Sequence, residues 1–423
     1  MNIPITLRLR YFSIVFLLSV CSIAQNREQA QQTINDLCTD EMAGRGYIND
    51  GDKKAAQYIS EKFKEIGLTG TKNGYNLPFT VKVNTFPKTT MQIDNEVLKP
   101  GYDYLVSTTS ASSTGEFNVF FVSDRMLSSP KVAKKVKKAI KRGFIPVITQ
   151  FDSKNEKLNK HVKKIRKCNS GATMIFLKDH LTWSVGTSQG KGTEIHLLDS
   201  LFNRFSKTVK IDIEAKFIPE YQTQNVMGVV KGTKFPDSLI IFCGHYDHLG
   251  KMGESTFYGA NDNASGIAML IDMATYFASN PQKYSVAFIA FGAEEAGLLG
   301  SLDYVKRPPI PLSKTKFVFN MDLMGSGEEG ATIVNGSVFK DDYARLVDIN
   351  TKNDYLPNIK SRGKAANSDH YFFTVAGVPS FFIYLRGEYK YYHSPLDSPD
   401  HLVLGEYYDK SFLLIRDFII SLN

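Results

Sequence analysis

Cysteine, tryptophan and long apolar runs are all scarce in this chain of 423 residues. It has four cysteines and one tryptophan, and no internal apolar run approaches the ~20 residues that a membrane-spanning helix needs. The cysteines are too few and too widely spaced for a disulfide framework or a zinc knuckle. The sequence therefore excludes a small disulfide-stabilised protein, and it predicts no transmembrane helix in the mature chain.

The excess of positive charge lies in one region of the chain. The net charge is +8, but residues 131–167 carry 14 Lys or Arg against two acids, so the remaining residues sum to −4. This distribution argues against a uniformly basic nucleic-acid-binding protein. The region also lacks interleaved aromatics for base stacking, so we expect no nucleic-acid partner. Its lysines are expected to form solvated helix faces, with a patch for anionic surfaces or peptides as the alternative.

The first 24 residues are typical of an export signal. Arg8 and Arg10 precede an almost wholly apolar stretch, residues 11–20, and small residues allow cleavage after Ala24. The sequence thus predicts a periplasmic or secreted protein. An uncleaved anchor is the alternative, and Cys21 leaves a lipid anchor open.

The rest of the chain divides into a main domain and an insert. After residue 224, continuous apolar strands alternate with amphipathic helices. This pattern predicts an α/β fold with a mixed, mostly parallel central sheet covered by helices on both faces. Residues 109–206 repeat a strand and a Lys-rich helix, which predicts a smaller inserted α/β domain. We therefore expect residues 25–108 and 207–423 to form the two parts of the main domain.

Polar side chains follow four of the apolar strands, and one acid precedes a predicted helix. These residues are His245 and Asp247, Glu294 and Glu295, Asp322, His393 and, before the helix, Asp262. Ligands bind at the carboxyl ends of strands in such sheets, so we expect these side chains to meet at one edge. Clustered carboxylates repel each other, and divalent cations are the simplest compensation. Imidazole and carboxylate donors suit zinc, or other divalent transition metals.

The donor set is large enough for two metal ions. Two His and three carboxylates suffice if one carboxylate bridges, and a further acid remains free as a general base. Glu294 and Glu295 are adjacent in an extended segment and point in different directions, so one can bind metal while the other faces a water molecule.

The ordered motifs together resemble the M28 family of zinc peptidases. The matching segments are His245–His248, Gly259–Gly266, Gly292–Gly297, Asn320–Asp322 and Tyr392–Asp397, with Asp40–Arg45 near the N-terminus. The resemblance implies a zinc-exopeptidase fold. Residues 109–206 resemble, more weakly, the protease-associated domain of secreted family members.

The resemblance also implies a role for each position. His245 and Asp322 hold one zinc, Glu295 and His393 hold the other, Asp262 bridges the two, Glu294 is the general base, and Asp247 fixes the imidazole of His245. Tyr392 is a candidate oxyanion donor, with a packed aromatic as the alternative. His370 is a candidate substrate-binding residue, with a structural role as the alternative.

These expectations converge on an exported di-zinc exopeptidase acting on peptides, most simply an aminopeptidase. A carboxypeptidase with the same metal site is an alternative, with Arg386 as a candidate for binding the terminal carboxylate. A glutaminyl cyclase on the same fold is a second alternative. It is disfavoured because those relatives carry Trp before the last His ligand, where this chain has Tyr392. A non-catalytic receptor is disfavoured because every expected ligand is present.

Overall fold

The computed structural model describes residues 27–422, apart from residues 73, 150, 153, 169–170, 178–179 and 202–205. The predicted export signal, residues 1–24, and the candidate lipid site Cys21 lie outside the described residues. Among the residues described, no helix combines the length and apolar character needed to cross a membrane.

Strands and helices alternate along most of the described chain. Its strands are β1 (Asn76–Ile93), β2 (Glu96–Leu98), β3 (Tyr104–Val106), β4 (Ser113–Val122), β5 (Phe144–Ile148), β6 (Thr173–Leu177), β7 (Glu194–Leu198), β8 (Thr208–Val230), β9 (Phe235–His245), β10 (Gly250–Met252), β11 (Ser255–Phe257), β12 (Tyr284–Phe291), β13 (Thr315–Met321), β14 (Gly330–Val334), β15 (Ile359–Arg362) and β16 (Ser380–Arg386). Its α-helices are α1 (Arg27–Leu37), α2 (Gly51–Ile66), α3 (Asp124–Leu127), α4 (Val132–Ile140), α5 (Glu156–Arg166), α6 (Ser265–Ser279), α7 (Leu299–Lys306), α8 (Lys340–Asn353), α9 (His370–Val375) and α10 (Glu406–Ile420). Short 3₁₀ or π segments cover Asp40–Arg45, Asp199–Leu201, Ala260–Ala264 and Leu312–Lys314.

The centre of the sheet is parallel. Strands β12, β9, β13 and β16 lie side by side in parallel, while β8 and β14 flank them in antiparallel pairing. Side chains of β9 alternate between two cores: Ile240 and Phe242 face one cluster, and Ile241 and Cys243 face the other. Helices α1, α2, α6 and α10 cover the first face, and α7 and α9 cover the second. The predicted fold class, with helices on both faces, is confirmed.

One long ribbon joins this centre to the predicted insert. Strand β8 pairs with β12 through its C-terminal end, with β1 along most of its length and with β4 through its N-terminal end. Strand β1 is one continuous strand that runs through two register shifts against β8. The ribbon is continuous because β8 offers pairing partners on both sides of those shifts.

Residues of the predicted insert extend the sheet beyond this ribbon. Strands β4 to β7 are parallel in sequence order, and β3 closes the edge in antiparallel pairing. The Lys-rich helices α4 and α5 bury Val136, Val162 and Ile165 and leave their Lys and Arg side chains exposed. The lysines thus lie on solvated helix faces. The boundaries of the insert, residues 109 and 206, stay a prediction.

Candidate active site

The carboxyl ends of the central strands bring the predicted residues to one edge. His245 is the last residue of β9, Glu294 and Glu295 follow β12, and Asp322 follows β13. These three strands are parallel neighbours, so their ends coincide. The loop after β16 adds His393, and the short segment Ala260–Ala264 before α6 adds Asp262.

The side chains form two halves around Asp262. Nε2 of His245 lies 3.3 Å from Oδ1 of Asp262 and 3.5 Å from Oδ2 of Asp322. Nε2 of His393 lies 3.2 Å from Oδ2 of Asp262 and 3.3 Å from Oε2 of Glu295. Each oxygen of Asp262 therefore faces a different imidazole, and each imidazole also faces one further carboxylate.

The donors fit the zinc ions that the resemblance implies. Two ligand atoms about 2.1 Å from a tetrahedral ion lie about 3.4 Å apart, which matches the spacing in both halves. Oδ1 of Asp322 is buried and has no hydrogen-bond partner among the described residues, as expected of an atom that turns towards a cation. Nitrogen and carboxylate oxygen donors without thiolate are consistent with zinc.

The electrostatics of the cluster also favour positive charge. Burial opposes a charge on His393, but Glu295 and Asp262 outweigh it and raise the pKa of the imidazole to about 11. Burial likewise opposes ionisation of Glu295, but His393 and His248 lower its pKa to about 2. The carboxylate of Glu295 is thus held ionised, and the imidazole of His393 carries the compensating positive charge.

Glu294 lies in the same cluster as His245 and Asp322, with ligand-type atoms within 4.8 Å of one another. Burial raises its pKa well above the ordinary range, and Glu295, Asp369 and Asp322 raise it further, against His245. Glu294 is therefore a carboxyl group with an unusually high proton affinity at the centre of the site.

Asp247 holds the backbone on which both glutamates sit. Its carboxylate accepts the N–H groups of Glu294 at 3.0 Å and Glu295 at 3.3 Å. Nδ1 of His245 lies 3.0 Å from the backbone carbonyl of Asp247 and 3.9 Å from its carboxylate. Asp247 thus contacts the His245 imidazole through its backbone carbonyl. Its carboxylate holds the backbone that follows β12.

Tyr392 lines the cavity over the site, and His370 does not. The metal-facing cavity of about 190 Å³ is bounded by Tyr392, Leu323, Asn367 and the ligand cluster. The ring of Tyr392 stacks on His393 with 3.8 Å between centroids. His370 is fully buried at the start of α9, 5.4 Å from the ring of Phe382, which itself lines the cavity. A substrate-binding role for His370 stays a prediction.

Asp397 and Arg45 support the loop of Asp262. The carboxylate of Asp397 accepts the N–H groups of Asn261 at 2.7 Å and Asp262 at 3.1 Å. The guanidinium of Arg45 is fully buried and donates to the carbonyls of Tyr246 and Gly259 at 2.7 and 2.6 Å. Both residues lie in the motif segments Tyr392–Asp397 and Asp40–Arg45, but a sequence motif does not indicate which atoms its side chains bind.

Two other contacts could not be read from the motifs. Nδ1 of His248 lies 2.9 Å from Oε1 of Glu295, although the family resemblance assigns no ligand role to His248. It meets the oxygen of Glu295 that faces away from His393. Nδ1 of His393 lies 2.7 Å from the carbonyl of Trp183, in the predicted insert. A partner 210 positions away leaves no local signal.

The fold and this cluster define an α/β protein with a group of potential metal ligands at the carboxyl edge of its sheet. Residues 225–416 match the sequence profile of peptidase family M28. This segment contains every predicted ligand and Glu294, so the similarity to the M28 family covers the whole candidate site. The resemblance drawn from the motifs is therefore confirmed.

Relatives and solved structures agree with this match. The chain is 32% identical over 200 residues to aminopeptidase YwaD of Bacillus subtilis, covering 45% of this chain and 43% of that protein. It is 28% identical over 191 residues to the probable lipoprotein aminopeptidase LpqL of Mycobacterium tuberculosis, covering 41% of this chain and 37% of that protein. The chain thus spans less than half the length of these curated relatives.

The fold is shared over nearly the whole chain. The structure of BSAP, a zinc aminopeptidase from Bacillus subtilis, superposes with a TM-score of 0.69 at 19% identity, covering 94% of this chain and 95% of that one. The aminopeptidase from Aneurinibacillus sp. strain AM-1 gives 0.63 at 21% identity, with 94% of each chain covered. The likeness includes the predicted insert as well as the central sheet.

Proposed function

We propose that the chain is a di-zinc exopeptidase that removes residues from the N-terminus of peptides. The observation that carries this proposal is the position of Asp262, with one carboxylate oxygen facing His245 and the other facing His393. A carboxylate in this position is suited to bridge two cations. Two curated relatives and two similar structures are named aminopeptidases, which supports the N-terminal specificity.

The ligand sets follow from the two halves. His245 and Asp322 would hold one zinc, His393 and Glu295 would hold the other, and Asp262 would contribute to both. When bound, the pair supplies Lewis acidity for the scissile carbonyl and lowers the pKa of a water molecule. His248 orients Glu295 from the side opposite His393.

Glu294 is the general base in this proposal. It accepts the proton of the attacking water and then delivers it to the leaving amine, so one carboxyl group serves both steps. Its high proton affinity in the buried cluster suits the first step, acceptance of the proton from water. Asp247 fixes the backbone N–H of Glu294 and thereby its position.

Tyr392 is the proposed oxyanion donor. Its side chain lines the metal-facing cavity and also a neighbouring cavity of about 360 Å³, which Leu323 shares. A hydroxyl at this junction can donate to the oxygen on which charge develops when the carbonyl is attacked.

The carboxypeptidase alternative has little support from Arg386, its candidate anchor. Arg386 lines the neighbouring cavity, but its guanidinium donates to the backbone carbonyl of Glu329 and pairs with the Glu329 carboxylate at 3.4 Å. It is therefore already engaged within the protein. Asp397 and Glu329 also line that cavity, which disfavours a free carboxylate there.

The proposal is tested with free-amine aminoacyl-nitroanilides beside N-blocked peptides, with zinc content measured in parallel. We expect release from the free-amine substrates and two zincs per chain. Glu294→Gln should lower kcat by orders of magnitude with both zincs retained. Glu254→Gln, at an exposed turn, is the matched control and should keep full activity.

Other outcomes would change the assignment. Cleavage of blocked peptides from the C-terminal end would keep the metal site and identify a carboxypeptidase. Cyclisation of N-terminal glutamine without hydrolysis would identify a glutaminyl cyclase. Bound zinc with no activity on any of these substrates would indicate a receptor.

We also propose that the protein is exported, as the first 24 residues predict. The name of LpqL as a probable lipoprotein makes Cys21 worth testing as a lipid site. Fractionation of cells expressing the chain, with a Cys21→Ser control, distinguishes a free exported enzyme from an anchored one.

A further inference from the structure

The two imidazoles of the site are oriented by different parts of the chain. Nδ1 of His245 lies 3.0 Å from the carbonyl of Asp247, two residues away in the same loop. Nδ1 of His393 lies 2.7 Å from the carbonyl of Trp183, which belongs to residues 109–206, the predicted insert. One half of the site is therefore oriented locally, and the other half depends on a distant segment.

The contact with Trp183 sets the tautomer of His393. A carbonyl oxygen only accepts hydrogen bonds, so Nδ1 of His393 must carry a proton. In the neutral imidazole, Nε2 then offers its lone pair towards Asp262 and Glu295. This is the form that a metal ligand needs, and such outer partners also fix the direction of the ring.

The same contact holds the backbone of His393. The N–H of Trp183 donates to the carbonyl of His393 at 3.4 Å, so the two residues are bonded in both directions. His393 has a φ of +54°, in the left-handed region that residues other than glycine rarely adopt. Such a conformation persists only where surrounding contacts hold it, and Trp183 supplies two of them.

The side chain of Trp183 determines where its carbonyl lies. Residues 180–185 have no regular secondary structure, so backbone pairing does not fix their path. The indole Nε1–H donates to the carbonyl of Val106 at 2.9 Å. The ring packs on Phe257 and Phe86, with centroids 4.9 and 6.1 Å apart, and only 6% of the residue is exposed.

We propose that Trp183 is a positioning residue for His393, through which the predicted insert controls the affinity for the second zinc. The inference rests on the proposed di-zinc function. It assigns the insert a part in building the His393–Glu295 half, while the His245–Asp322 half is built by the central sheet alone.

The test is the zinc affinity of Trp183→Ala, measured by competition with a chelator. Loss of the indole frees the segment from Val106 and Phe257, so its carbonyl no longer has a fixed position. Loss of such an outer partner weakens metal binding by about 10–100-fold. We expect that loss for one zinc of the pair and an unchanged affinity for the other. We also expect kcat to fall with little change in KM.

Two control variants separate positioning from general damage. Trp183→Phe keeps an aromatic ring between Phe86 and Phe257 but loses the bond to Val106, so its effect should be intermediate. Phe176→Ala opens the buried core of the insert in strand β6, where Phe176 packs on Phe121. It should lower stability and leave both zinc affinities within about threefold.

The emission of Trp183 gives a readout independent of activity. It is the only tryptophan in the sequence, so the fluorescence of the metal-free protein reports this contact directly. During zinc titration, the emission should change with one of the two binding steps. Trp183→Phe and the fluorescence titration decide the question even if Trp183→Ala does not fold.

Failures of the two proposals are distinguishable. A wild-type protein with two zincs and peptidase activity, but with both affinities kept in Trp183→Ala or no emission change with either step, overturns the positioning role alone. The same holds if Phe176→Ala weakens one zinc as much as Trp183→Ala does. A wild-type protein that binds no zinc pair overturns the proposed function and this inference together.

Discussion

At the scale of single residues, Tyr392 offers a sharp test of the chemistry. Partial burial and the carboxylates of the cluster raise the pKa of its hydroxyl above the ordinary range, so it remains a neutral donor near pH 7. Tyr392→Phe keeps the ring stacked on His393 and removes only that donor. We expect kcat to fall about 10²-fold with KM little changed, as for loss of an oxyanion donor.

The neighbouring tyrosine provides the control. Tyr391 is half-buried and packs its ring on Tyr389 and His401, with centroids 5.3 and 4.8 Å away. Tyr391→Phe should therefore retain normal steady-state kinetics. Equal kinetics for the two variants would show that Tyr392 acts only as a packed aromatic.

At the scale of elements, helix α6 carries a half-buried acid, Asp272, away from the metal cluster. Burial raises the pKa of Asp272 to about 7, although Tyr408 donates a hydrogen bond to it at 3.0 Å. The unfolded chain releases this proton near pH 3.9, so the folded state binds more protons between about pH 4 and 7. The free energy of unfolding should therefore fall as pH rises through this range, by up to about 4 kcal/mol for a shift of about three units.

The variant that tests this is Asp272→Asn, which keeps an acceptor for the Tyr408 hydroxyl. Denaturant unfolding at pH 5 and pH 8 should show a smaller decrease for the variant than for the wild type. The variant should also be the more stable protein at pH 8. Identical pH dependence in the two proteins would mean that Asp272 ionises normally in the folded state.

Elements differed in how well the sequence predicted them. Strand β9 and its neighbours were predictable because a strand buried on both faces is a continuous apolar run between turns. The ribbon of β1 and β8 was not, because its strands alternate irregularly and pass through register shifts set by the partner strand. The meeting of the predicted metal ligands at one sheet edge was predictable because the carboxyl ends of parallel strands lie together. The contact between Trp183 and His393 was not, because it depends on how two distant segments pack.

At the scale of the whole molecule, the site joins segments that are otherwise far apart. Asp397 and Arg45 hold the loop of Asp262 from the C-terminal and N-terminal parts of the chain, and Trp183 holds His393 from the predicted insert. Bound zinc would therefore link these segments in addition to serving chemistry. A ligand that binds only the folded state stabilises it by about 4 kcal/mol at a thousandfold excess over its Kd.

Removal of zinc should consequently lower the thermal midpoint of the whole protein. Without cations, the segments that meet at this edge lose the ligand bonds that would join them. We expect a chelator to lower the Tm, zinc to restore it, and amide exchange to accelerate in residues 180–185 and 259–262. Helices α4 and α5 should keep their exchange rates, because their buried faces pack in a separate cluster.

A variant with both His245→Ala and His393→Ala should show no Tm change with chelator or zinc. If the Tm of the wild type also stays unchanged with chelator and with zinc, zinc has no part in holding these segments together.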